Sequence, residues 1–228
     1  MLLEMNVMSD YESKVIKKVV SKYIAKDSAI LDIACGLGGK MLLLKEAGYS
    51  NVRGVEINEN SVRECQERGL NVVTFDQFKK ESMKNEYDVI LLSHIIEHFE
   101  YRELIEFMET YLQYLKKDGY VIIITPILNA YFYDAFDHVK PYSHIGILNI
   151  FGDQLSTEPC KSKYRLGMLD LHYIRIAFQL KFYRTLTLET AMYRLPRTIN
   201  RLLHLLYRLS FRIIGSPSAW IGVFQKKN

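Results

Sequence analysis

The chain has 228 residues, of which 49% are hydrophobic and 25% charged, and a formal net charge of +4; that suits one large domain, or one domain with an elaboration, around a real core. Its three cysteines, Cys35, Cys65 and Cys160, show no paired spacing, which argues against disulfides and thiolate zinc sites and for a reducing, cytoplasmic compartment. No apolar stretch reaches the roughly 18 residues that span a bilayer, and no basic segment precedes a long apolar run, so neither a transmembrane helix nor a signal peptide is expected.

In chain order, residues 11–24 place Val15, Ile16, Val19, Val20, Tyr23 and Ile24 at helical spacing, with lysines on the other side. This helix reads either as a cap over a ligand site or as a plain packing helix. Residues 29–33 are the apolar run of a short buried parallel strand. It carries Asp32 and runs into the small-residue turn Ala34, Cys35, Gly36, Leu37, Gly38, Gly39. A helix follows over 40–47, with Gly48 as its C-cap. Strand, glycine turn and helix open a nucleotide-binding βαβ unit, in which glycines let the backbone approach a ligand where a Cβ would collide. A dinucleotide fingerprint would need a third glycine at position 41, which is Met41.

A second strand, 52–57, ends in Glu56, 24 residues after Asp32. A carboxylate at that tip can accept both ribose hydroxyls of an adenosine. A helix over 58–68 stops at Gly69, and a third strand, 71–75, carries Asp76 and Gln77 at its tip. Strand four, 87–93, runs directly into Ser93-His-Ile-Ile-Glu-His98. A helix over 102–115, the Asp118-Gly119 turn and strand five, 120–125, complete four alternations, which predict a parallel, doubly wound α/β sheet.

These motifs together resemble the class I S-adenosylmethionine-dependent methyltransferases, most nearly the ubiquinone-type and sugar O-methyltransferase group. That group's acidic-x-Gly-x-Gly-x-Gly motif stands here as Asp32-Ile-Ala34-Cys-Gly36-Leu-Gly38, with Ala34 in the first glycine position. Asp88 opens strand four, and Ser93 to His98 matches the group's S-H-x-x-E-H segment. The resemblance covers residues 25–126 and implies a Rossmann-like methyltransferase fold of seven strands, the last antiparallel. It implies S-adenosylmethionine as cofactor, held by Asp32, Ala34, Gly36, Gly38, Glu56, Ile57, Asp76, Gln77, Ser93 and His94. Asp76 and Gln77 would meet the adenine amino group; the alternative for them is a solvated loop.

After strand five the alternation stops. Residues 127–215 read as an acceptor-side insertion within a single domain, aperiodic and rich in Tyr, Phe, Asp and His up to about 185. The run 219–224 reads as a last strand along the sheet edge. Between them lies an expected helix, 196–214, from Pro196 towards Gly215 and Pro217. It sets Arg197, Arg201, Arg208 and Arg212 within about 60° of one another, opposite Leu202, Leu206, Leu209 and Ile213. From residue 161 onward there are 13 Lys/Arg against only Asp170 and Glu189, while residues 1–160 carry 17 basic and 24 acidic residues. The helix can be an ordinary surface helix with a solvated basic face, an interfacial helix on anionic lipid, or a grip on a phosphorylated or nucleic-acid partner.

Methyl transfer from a sulfonium is an in-line displacement helped mostly by orientation, and an alcohol or phenol acceptor also needs a base. His94, His98, His138 and His144 are the candidates near the strand tips. His94 and His98 stand four apart with Glu97 beside them, a spacing that could also bind a divalent ion. Ubiquinone-type relatives place Glu, Glu and His at these three positions and are associated with a metal. Here the first is His94, and no metal is assigned. His138 lies in a segment resembling the family's His-Val-x-x-Tyr/Phe-Ser and is the favoured base, with His98 and His94 behind it; the alternative is a residue anchoring its own loop.

The expectation is an S-adenosylmethionine-dependent O-methyltransferase of a glycan, nucleotide-sugar or lipid-linked acceptor, cytoplasmic and in peripheral contact with the inner face of a membrane. Alternatives are a quinone or small-phenol enzyme, an RNA methyltransferase, or a catalytically inactive binding protein on the same fold, hinted at by Ala34. Nucleic acid is not favoured, because the arginines share their helix with a broad leucine face. Oligomeric state is not legible.

Overall fold

The computed structural model describes residues 10–129, 132–153, 160–180 and 194–228. Seven strands form one sheet: β1 (Ile30–Ile33), β2 (Val52–Val55), β3 (Val72–Val73), β4 (Tyr87–Ser93), β5 (Leu115–Pro126), β6 (Leu166–Ile176) and β7 (Ser216–Lys226). Their order is β3-β2-β1-β4-β5-β7-β6. The first five strands are parallel, and β7 runs antiparallel to both β5 and β6. This is the doubly wound, seven-stranded sheet expected from the sequence.

The helices are α1 (Asp10–Tyr23), α2 (Gly39–Glu46), α3 (Glu59–Glu67), α4 (Phe75–Glu81), α5 (Tyr101–Leu112), α6 (His144–Phe151) and α7 (Arg194–Leu209). Because side chains alternate along a strand, the central strands feed two cores. Leu31, Ile33, Ile90, Leu92, Val121 and Ile123 pack with Leu104, Met108 and Leu112 of α5. On the other face Ile30, Val89, Leu91, Ile122 and Ile221 pack with Ile16, Val19 and Val20 of α1. Helices thus cover both faces, as a parallel sheet requires. Asp88 fastens β4 by accepting from the Ala29 amide at 2.9 Å and the Lys116 ammonium at 2.7 Å.

Three local expectations are corrected. The run 219–224 is not an edge: it lies inside β7, paired on both sides, and β6 forms the edge. Residues 166–176 gave no clean alternation because the β6 register shifts at Met168/Asp170 and again at Ile174/Arg175. A one-residue shift moves every later side chain to the other face. The third strand is only Val72–Val73, since the Thr74 side chain accepts from the Gln77 amide and starts α4 there. Asp76 and Gln77 therefore stand in the first turn of a helix. Finally, α7 stops at Leu209, well before Gly215. Its end is a Schellman turn, with Phe211 N–H returning to Arg208 and Arg212 N–H to Tyr207.

Candidate active site

Parallel strands end together, so the tips of β1, β2, β4 and β5 bring together side chains far apart in sequence. At the β1 tip, Ala34, Gly36 and Gly38 all hold left-handed backbone, with φ of 55°, 54° and 74°. The two glycines serve different ends. A Cβ on Gly38 would lie 2.4 Å from Leu70 Cδ1, so that position is needed for packing. A Cβ on Gly36 would meet nothing within 4 Å, so its backbone borders open space.

At the β2 tip the nearly buried Glu56 accepts three amides at 2.9 Å: Gly36 on one oxygen, Ile57 and Asn58 on the other. The carboxylate thereby locks the glycine turn to β2. The Ile57 side chain beside it is 87% exposed, an apolar surface at the rim of the turn. Asp32 is buried, and its Oδ2 has no hydrogen-bond partner. Burial pushes its carboxyl up to about 7, with the Lys40 ammonium opposing and Glu56 reinforcing the shift. Asp76 is exposed on α4, and the Gln77 carboxamide donates to Glu81 along the same helix at 2.8 Å.

The β4 tip carries the second cluster. Ser93 ends the strand, and His94 turns out of it with φ 54°, its amide on the Ile124 carbonyl. The His94 ring stands between two carboxylates, Nε2 at 3.6 Å from Glu12 Oε1 and Nδ1 at 3.4 Å from Glu97 Oε1. The Lys40 ammonium reaches the same Glu12 oxygen at 2.7 Å, and the wholly buried Glu97 accepts from Thr125 at 3.0 Å. Lys40, Glu12, His94 and Glu97 thus alternate in sign from α2 across α1 to the β4 tip.

Burial opposes charge on His94, but its bonds to Glu12 and Glu97 outweigh that and hold it up to about 9. Burial likewise opposes charge on Glu12, yet His94 and Lys40 hold it down at about 2. His94 is therefore a cation at neutral pH. It can neutralise and orient, but it has no lone pair with which to take a proton.

His98 and His138 form a different pair. Their rings meet edge to face with centroids 5.2 Å apart. His98 Nδ1 lies 2.9 Å from the Asp137 carbonyl, and His138 Nδ1 lies 2.7 Å from the Phe132 carbonyl. A carbonyl only accepts, so each Nδ1 carries a proton, and in the neutral ring the acceptor is Nε2. The Glu97 carbonyl binds the Val139 and Lys140 amides at 2.8 and 3.1 Å, which stitches this loop beneath the β4 tip.

Among the described residues, Glu97, His98 and His138 offer ligand atoms within 4.8 Å of one another, a set that could hold a divalent ion or a hydroxyl. Sequence spacing had grouped His94 with Glu97 and His98 on one helical face. The left-handed backbone at His94 sends its ring toward α1 instead, and His138 takes its place. His144 packs against Trp220 and Tyr173, with centroids at 6.3 and 6.4 Å. Sequence reasoning missed Glu12, Lys40 and Thr125. A carboxylate at the start of an otherwise basic helix was the one available signal for Glu12.

A seven-stranded sheet in this order, with an antiparallel β7 and a glycine turn locked to a strand-tip carboxylate, defines the class I methyltransferase fold. Residues 9–194 match the family model described as a methyltransferase domain, and the chain belongs to that family. It is 28% identical over 136 residues to the ribosomal protein L11 methyltransferase of Thermosipho melanesiensis, covering 58% of this chain and 50% of that protein. It is 28% identical over 124 residues to the phosphoethanolamine N-methyltransferase of Plasmodium falciparum, covering 52% and 47%. The chain spans about half the length of the curated relatives it matches.

Among solved structures, an S-adenosylmethionine-dependent methyltransferase from Archaeoglobus fulgidus superposes with a TM-score of 0.57 at 22% identity, over 93% of this chain and 94% of that one. The 1,6-didemethyltoxoflavin-N1-methyltransferase of Burkholderia thailandensis, solved with 1,6-didemethyltoxoflavin and S-adenosylhomocysteine, gives 0.57 at 10% identity over 95% and 78%. These likenesses establish the fold. The family match sets the chain among methyltransferase domains without resolving a ubiquinone-type or sugar subgroup, and its structural neighbours include enzymes dependent on S-adenosylmethionine. Its residues fit that donor: an orphaned buried oxygen on Asp32, open space at Gly36, the Glu56 carboxylate, and the exposed Ile57 face.

Proposed function

We propose that the chain methylates a hydroxyl group of a glycan, nucleotide-sugar or lipid-linked acceptor, with His138 as the base. The observation that carries this reading is the His138 ring, whose Nδ1 donates to the Phe132 carbonyl, which makes Nε2 the accepting nitrogen of the neutral ring. Asp32, Gly36, Glu56 and Ile57 would hold the donor, with Ala34 and Gly38 shaping the turn and Asp76, Gln77 and Ser93 at its margin. When bound, the donor supplies an electrophilic methyl group on sulfur. His138 Nε2 would take the proton that the acceptor hydroxyl gives up as it receives the methyl group. His98 flanks that ring and orients it. The His94 cation offsets the charge of Glu12 and Glu97 and so keeps the floor of the site from repelling an oxygen nucleophile. The segment 127–215 forms the acceptor side of one domain in this reading.

The test incubates methyl-labelled donor with glycan and lipid extracts and identifies the labelled product by mass and by the NMR shift of its methyl group. A methyl ether is the expected product. His138→Gln should slow transfer by about 10²- to 10⁴-fold with donor affinity unchanged in calorimetry. A methylated nitrogen, or an unimpaired His138→Gln variant, would overturn the assignment.

A further inference from the structure

The helix α7 is docked by the wrong face for an ordinary surface helix. Its packed edge runs through Asn200, bonded to the Leu180 backbone, and Tyr207, buried with its hydroxyl on the Arg175 carbonyl. Leu195, Leu202, Leu205, Leu206, Leu209 and Ile213 are each more than half exposed. At about 100° per residue the five leucines occupy the sector facing away from the packed edge, and Arg201 and Arg208 border them on one side, while Ile213 lies beyond the end of the helix. No helix among the described residues is long and apolar enough to cross a membrane.

The end of the helix adds an independent observation. Phe211 occupies the C′ position of the Schellman turn at φ 53°, where glycine is the usual residue. A bulky side chain in left-handed backbone is strained. The strain is not offset by packing, because Phe211 is 89% exposed. A sequence that keeps an aromatic ring there is presenting it outward. Ile213 and Ile214, also exposed, extend the same apolar end.

We propose that α7 and the turn 211–214 form an interfacial docking surface for an anionic lipid bilayer. The leucine sector and Phe211 enter the headgroup boundary, and the flanking arginines meet lipid phosphates. Charge complementarity selects this occupant: α7 and the turn after it carry Arg197, Arg201, Arg208 and Arg212 and no acidic residue. The surface also lies on the active-site side of the sheet. The β6 and β7 ends that flank α7 pair beside Pro126 at the β5 tip. Arg212 stacks on Tyr11 with its guanidinium carbon 4.8 Å from the ring, one residue before Glu12. Docking would therefore bring the strand-tip rim to the membrane.

The experiment is vesicle co-sedimentation of the full chain, without donor or acceptor, so it is read independently of the methyl-transfer assignment. Vesicles of phosphatidylcholine with about one-third phosphatidylglycerol should pellet the protein at least tenfold better than phosphatidylcholine alone, and less well as salt rises. The pair Leu205→Ser and Leu209→Ser should lower pelleting at least tenfold, and Arg201→Gln with Arg208→Gln should lower it and flatten the salt dependence. Phe211→Gly separates docking from folding: Tm should rise by about 2 °C while vesicle binding falls. Equal pelleting of the wild type and the leucine variant would overturn the proposal. So would a dimer in light scattering that the leucine variant dissolves while no vesicle binds, since the occupant would then be a second copy.

Discussion

Glu97 and His94 are three residues apart, yet one is wholly buried and the other opens to solvent, with Glu97 Oε1 3.4 Å from His94 Nδ1. The pair sets a buried carboxylate against a half-exposed imidazole at the β4 tip. Thr125 anchors the carboxylate from below, and Glu12 and Lys40 complete the line from above. Several measurable consequences come from this arrangement and its neighbours.

The His94 cluster should give stability a defined pH window. The folded-state value of His94 is raised from 6.5 to about 9, so its stabilisation is complete below about 6.5 and lost as pH rises through 9. Glu12 is lowered from 4.5 to about 2, so its share is complete above 4.5 and lost as pH falls toward 2. In thermal denaturation the wild type should exceed His94→Gln most between pH 4.5 and 6.5. The gap should close by about pH 9.5. A constant gap across that range would mean that the ring is held by shape and not by charge.

Donor binding should depend on Glu56. Its carboxylate orders the Gly36 turn, and a carboxylate at that strand tip can accept the ribose hydroxyls of an adenosine. Glu56→Ala should weaken S-adenosylmethionine binding by roughly 1.5 to 3 kcal/mol, about 10- to 150-fold in calorimetric Kd, the range for hydrogen bonds to a charged group. Unchanged affinity would place the adenosine elsewhere.

Ala34 should be replaceable to advantage. It holds φ 55° with a Cβ, which costs about 1 to 2 kcal/mol, while glycine gives back about 0.4 to 1 kcal/mol through the unfolded chain. Ala34→Gly should therefore stabilise by about 0.5 to 1 kcal/mol and raise Tm by about 1 to 4 °C. A lower Tm would show that the methyl group is packed to advantage.

Lys226 should matter for stability far from the site. Its buried ammonium donates to the Leu112 and Leu115 carbonyls at 2.9 and 2.6 Å, closing the C-terminal end of α5 from β7. Lys226→Met keeps the aliphatic bulk but leaves both carbonyls unpaired. It should cost about 1 to 3 kcal/mol in denaturant unfolding, with donor affinity unchanged.

The sequence by itself determined what near neighbours determine. The apolar run around Asp32, the Gly36–Gly38 turn and the strand ending in Glu56 are local patterns whose geometry follows from period and steric freedom, and they carried the fold and the glycine turn that Glu56 locks. Thr74 shows where such reading thins: one capping hydroxyl ended β3 early and moved Asp76 and Gln77 onto a helix. Only the tertiary structure decided the rest, because it depends on approach across long separations. The register shifts that hid β6 have no signature in a periodicity, and pairing placed β7 between β5 and β6. Glu12 meets His94 from α1 and Lys40 joins it through Glu12 from α2, and a left-handed backbone at His94 gave its expected place beside His98 to His138. The leucines of α7 were legible as a stripe. That they face outward was fixed by Tyr207 and Asn200, which dock the other edge, since a helical wheel states which residues share a face and not which face is covered.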